Sequence, residues 1–75
     1  MTQETPARPP IRRTVRNFLL DYHRVVDDLL VAAVHAETGA GTLAIRATVK
    51  RMEQHGEIYN AAGDADAPEW KVTRA

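Results

Sequence analysis

A chain of 75 residues, 44% of them apolar, has room for one domain with one modest core and is too apolar for full disorder. With no cysteine there are neither disulfides nor thiolate metal sites, and the volume is too small for a buried substrate cleft with its own supporting shell. Ten basic side chains balance ten acidic ones, which argues against a generic polyanion binder, although the charge is segregated. Residues 1–26 carry five arginines against two acids, and 27–41 carry three acids and no Lys or Arg. Residues 42–56 set Arg46, Lys50 and Arg51 against Glu53, and 57–75 set Lys71 and Arg74 against four acids.

Residues 1–10 hold Pro6, Pro9 and Pro10 and almost nothing that packs. They read as a flexible or extended N-terminal arm ahead of a domain over 11–75. From Ile11 the apolar residues Val15, Phe18, Leu19 and Tyr22 recur at three- and four-residue steps, which predicts a first helix over about 11–22. Arg12, Arg13 and Arg16 fall on its other side.

Val25, Val26, Leu29, Leu30, Ala33 and Val34 continue nearly in phase, with no Gly or Pro between 11 and 36. One long helix with a dimerising seam is one reading. The other, adopted because the downstream segments fit it better, breaks the chain at His23–Val26, where a β-branched pair able to form a short β segment precedes Asp27 as a helix N-cap. A second helix then spans about 27–37 and ends before Gly39-Ala40-Gly41. Thr42 is the expected N-cap of a third helix over about 43–55, with Ile45, Val49 and Met52 inward and Gly56 ending it.

After Gly56 the period changes to two. Residues 57–61 and 69–73 read as strands joined by a loop containing Gly63, Asp64, Asp66 and Pro68. The expected core is Ile11, Val15, Phe18, Leu19, Leu29, Leu30, Ala33, Ile45, Val49, Met52, Ile58, Trp70 and Val72. Trp70 is expected to pack against the third helix and Tyr59, and Tyr22 to be packed like Phe18.

The run from Thr42 through Met52-Glu-Gln-His-Gly-Glu-Ile58, followed by Pro68-Glu-Trp-Lys-Val-Thr73, resembles the winged helix-turn-helix family over about 11–73. The resemblance implies a mainly α fold of three helices plus a two-stranded β-hairpin wing, and binding of double-stranded DNA. The segment Pro68-x-Trp70-Lys71-Val72 is also similar to the wing of Z-form nucleic-acid-binding winged helices. In that subgroup an Asn and a Tyr of the recognition helix touch backbone and base. Here the matching positions are Arg46 and Lys50, and Ala67 stands at the first of two wing prolines, so the likeness is confined to the wing.

A helix fits the major groove of B-DNA, and flanking phosphates reward Lys and Arg. Arg46 and Lys50, one turn apart on the third helix, are candidate base readers, with Leu43 and Ala47 as contacts for a thymine methyl. Candidate phosphate contacts are Arg8, Arg12, Arg13, Arg16, Thr42, Arg51 and Lys71. Asp64 and Asp66 at the wing tip are expected to avoid the DNA backbone.

Nothing in the sequence points to catalysis, a cofactor or a small-molecule ligand. Serine is absent, no phosphate-cradling glycine loop occurs, and His23, His35 and His55 fall on different elements, so no metal site is expected. No apolar run nears the ~18 residues of a membrane span, and the first residues lack the order of a signal peptide. The expectation is a small cytoplasmic transcriptional regulator, homodimeric through its apolar first helix, from a high-GC bacterium or phage. The rival expectation is a winged helix used for protein–protein contact without DNA.

Overall fold

A computed structural model describes residues 9–74. Arg8 and all of the arm except Pro9 and Pro10 lie outside the described residues. The elements run α1 (Ile11–Asp21), β1 (Val25–Val26), α2 (Asp27–Thr38), α3 (Thr42–Gln54), β2 (Ile58–Asn60) and β3 (Glu69–Val72). The strands form an antiparallel sheet in the order β1-β3-β2. Three helices and a small β-hairpin sheet make this a mainly α chain with the layout of a winged helix-turn-helix.

Helix α1 buries Thr14, Val15 and Leu19, with Ile11 and Phe18 packed against the core. Its first turn is closed by the Thr14 amide and hydroxyl, both donating to the Pro10 carbonyl at 3.0 Å. Helical geometry is lost at Tyr22, so the chain contains two helices here instead of one long one. The cause lies far along the sequence. Val25 and Val26 pair with Trp70 and Glu69, and the Asp27 amide continues the ladder to the Pro68 carbonyl at 3.0 Å. Strand β1 therefore adds a third strand to the two-stranded wing expected from the sequence, and Val25, absent from the expected core, is buried.

Strand alternation divides the sheet into two faces. Ile58, Trp70, Val72 and Val25 face the core. Tyr59 pairs with Lys71 and points the other way, so it is not the packing partner expected for Trp70. Tyr22 is also exposed, although its ring lies 4.6 Å from that of Phe18.

Helix α2 corrects two expectations. Its N-cap is Val26, with Asp27 already in the first turn. The Asp27 amide is engaged by Pro68, and its carboxylate turns to residues of other elements instead of capping its own helix. The buried positions are Leu30, Val31, Val34 and Thr38, which leaves Leu29 56% exposed and outside the core, and Ala33 half-buried at its margin. Because α2 is apolar on nearly every face, its sequence did not reveal the rotation; Leu30, Val31 and Val34 share the face turned to α1 and α3, and Leu29 lies about a third of a turn away. The helix ends at Gly39 in the left-handed region, φ 72°, and the buried Thr38 hydroxyl donates to the Val34 carbonyl at 2.7 Å.

A three-residue turn, Gly39-Ala40-Gly41, leads into α3. Gly41, not Thr42, is the N-cap, and Thr42 is the first helical residue. Ile45, Val49 and Met52 are buried as the spacing predicts. Gly56 adopts φ 76°, its amide bonds to Glu53 O and the Glu57 amide to Met52 O. This double closure ends α3 and launches β2.

Candidate nucleic-acid interface

With Ile45, Val49 and Met52 inward, the 3.6-residue turn sends Leu43, Ala47, Lys50 and Gln54 outward in one stripe, with Arg51 beside it. All five are exposed, Leu43 at 84%. The stripe and the adjoining Arg51 together carry two positive charges and no acid, and among the described residues Lys50 forms no hydrogen bond or ion pair. Gln54, which the sequence reading did not single out, completes the stripe. Its amide can donate and accept at a base edge, and its position one turn beyond Lys50 was the signal available.

Arg46 sits on the flank of α3 that faces the wing. Its guanidinium is paired with the Asp27 carboxylate and lies 3.4 Å from Asp28. The hydrogen bond to Asp27, and then that carboxylate's charge, raise the Arg46 pKa above its ordinary value. The same Asp27 accepts a 2.9 Å hydrogen bond from Trp70 Nε1 at the root of the wing. An open groove runs between this flank, the start of α2 and the wing, and Glu53, Lys50 and Asp66 also line it. Among the described residues, Arg46 and Lys50 are the basic side chains that line this groove with Asp27, Asp28, Glu53 and Asp66. Sequence reasoning missed the two aspartates as partners of Arg46, which are 19 and 18 residues away in the chain.

The opposite flank of α3 faces α1. Arg12 and Arg51 line a shared groove there, with Thr48 and His55. Arg12 is tied to Glu57, at 2.6 Å between Nη2 and the carboxylate. Arg13 and Arg16 are exposed on α1 and form no ion pair among the described residues. Thr42 is exposed at the start of α3. Lys71 is not brought to α3 at all. It lies on the outer face of the sheet, 3.4 Å from His23 Nε2 and close to Tyr59.

The wing tip is organised by its polar residues. Asn60 Oδ1 accepts from the Ala62 and Glu69 amides, Asn60 Nδ2 donates to the Asp64 carbonyl, and Asp64 Oδ1 accepts from the Asp66 amide at 2.9 Å. Asp64 therefore builds the turn itself, as short polar side chains do. Among the described residues no cluster of His, Asp or Glu could hold a metal ion, and no helix is long and apolar enough to cross a membrane.

Comparison with protein-family models, curated proteins and solved structures finds no match for this chain.

Proposed function

We propose that this protein binds double-stranded DNA and lays α3 in the major groove, as a small cytoplasmic regulator of transcription. The observation that carries the reading is the outer stripe of α3. Leu43, Ala47, Lys50, Arg51 and Gln54 are exposed and free of acidic neighbours on the stripe, on a helix held rigid by three buried side chains. Lys50 and Gln54 address base edges or phosphates, and Leu43 and Ala47 offer apolar contact to a thymine methyl. Arg51, with Arg13 and Arg16 of α1, supplies charge for the DNA backbone. Nothing in this mechanism calls for a cofactor or a catalytic group.

One helix reads few base pairs, and a homodimer doubles the site. The exposed apolar residues Leu20 of α1, Tyr22 just past its end and Leu29 of α2 are available to such an interface. Sedimentation of the purified protein tests it.

The test of the main reading is binding to random-sequence duplex DNA across a salt series, followed by site selection. The expected result is a steep loss of affinity with salt and an enriched motif that Lys50→Ala and Arg46→Ala relax. Absence of binding at low salt overturns the reading. It would then favour a protein partner, the reading that the acid-rich groove of Asp27, Asp28, Glu53 and Asp66 supports.

A further inference from the structure

The groove between α3 and the wing contains an arrangement that the DNA reading does not need. Arg46 is the arginine on the wing-side flank of α3, yet two carboxylates from the start of α2 already hold it. Asp27 is anchored from both sides. One oxygen accepts from Trp70 Nε1 at 2.9 Å, the other faces Arg46, and its side chain is only 18% exposed. Asp28 is 94% exposed and leaves a surplus negative charge beside the pair. A phosphate approaching Arg46 meets Asp28 as well, so the flank offers an anion no net attraction.

We propose that Asp27 and Asp28 act as a built-in competitor for Arg46, weakening non-specific DNA binding and so setting the protein's selectivity between a chosen site and bulk duplex. This inference rests on the DNA-binding reading. The guanidinium has five N–H donors. A guanine edge is neutral and can take two of these donors beside the carboxylates, while a phosphate, which can also bond a guanidinium in two places, is repelled by Asp27 and Asp28. The aspartates thereby penalise backbone contact more than base contact. They act through Arg46 and need not touch DNA, which makes them positioning residues.

The experiment compares four proteins on random-sequence duplex DNA over a salt series: the natural chain, Asp27→Asn with Asp28→Asn, Arg46→Ala, and all three changes together. An asparagine at 27 keeps an oxygen for Trp70 Nε1 and loses the charge that holds Arg46. Thermal melting followed by the fluorescence of Trp70, the sole tryptophan, confirms folding. Asp28→Asn alone, at an exposed position, repeats the test if the double change does not fold. The double change is expected to tighten random-duplex binding roughly threefold to tenfold and to steepen the salt dependence. With Arg46→Ala present, most of that gain should vanish.

Equal tightening with and without Arg46 would reduce the effect to added charge and overturn the inference, as would no tightening at all while the natural chain binds. Failure of all four proteins to bind at low salt overturns the DNA reading and this inference with it.

Discussion

The two exposed aspects of α3 differ in kind although they belong to one helix. On the outer stripe, Lys50 has no intramolecular partner among the described residues and Arg51 reaches only the Thr48 hydroxyl, at 3.4 Å. On the wing-side flank, Arg46 is held by Asp27 and Asp28, and through Asp27 it is linked to Trp70 and the root of the wing. Positive charge by count is thus not positive charge available. Lys50 lines the edge of the acid-rich groove but forms no ion pair among the described residues, so with Arg51 it can still attract a polyanion. Arg46 on the flank is already neutralised by Asp27 and Asp28. The difference also separates roles: the flank fixes how the wing sits against α3, and the stripe remains open for a partner.

The largest expected effect comes from breaking the flank at its root. Trp70 is 6% exposed, and its indole N–H is satisfied by Asp27. Trp70→Ala removes a large buried ring and the anchor of Asp27 together, and should cost about 3–5 kcal/mol. That is a large share of the stability of so short a domain. Urea unfolding followed by circular dichroism measures it, and a loss below about 1 kcal/mol would show that the wing is not tied to the core through this residue.

Smaller in stability but direct in function is Lys50→Ala with Arg51→Ala. Both side chains are exposed, so folding should change by no more than about 0.5 kcal/mol. Affinity for duplex DNA should fall about tenfold near physiological salt, with the slope of log affinity against log salt reduced by about 2. An unchanged slope would place the DNA elsewhere and erase the distinction between stripe and flank.

The stripe was legible in the sequence and the flank was not, for a physical reason. Ile45, Val49 and Met52 at four- and three-residue steps fix the rotation of α3, and Gly56 marks its end, so the outward positions follow from local pattern alone. The wing was legible from its change of period to two. Helix α2 gave no such guide, because Leu29, Leu30, Val31, Ala32, Ala33 and Val34 are consecutive and any of several rotations buries apolar surface. Hence the pattern places Leu29 inside and omits Val31 and Val34, whereas the fold buries the two valines and exposes Leu29.

The caps failed for a related reason. Asp27 and Thr42 have the chemistry of N-caps. Asp27, however, is recruited by Pro68, Trp70 and Arg46, contacts made across 41, 43 and 19 residues. Residue preference describes a helix end in isolation, and at Asp27 tertiary partners override it; at α3 the chain enters the helix one residue earlier, at Gly41. The break between α1 and α2 shows both sides of this: Val25-Val26 signalled it locally, and pairing with β3 accounts for it structurally.

The smallest expected effect on random-duplex binding is that of Arg46→Ala. Its side chain is 48% exposed, so the pair with Asp27 is largely a surface ion pair and should contribute about 0.2–1 kcal/mol to folding. Because Arg46 is already neutralised, its removal should lower affinity for random duplex less than the loss of Lys50 and Arg51 does. It should nevertheless relax a selected motif, since a neutral base edge can share the guanidinium without the repulsion that Asp27 and Asp28 exert on a phosphate. Titrations of both variants against the same duplex at one salt concentration make the comparison. If Arg46→Ala proved the more damaging on random duplex, Arg46 would be reaching phosphate despite its carboxylates. The wing-side flank would then be part of the electrostatic surface, and the contrast between the two aspects of α3 would be lost.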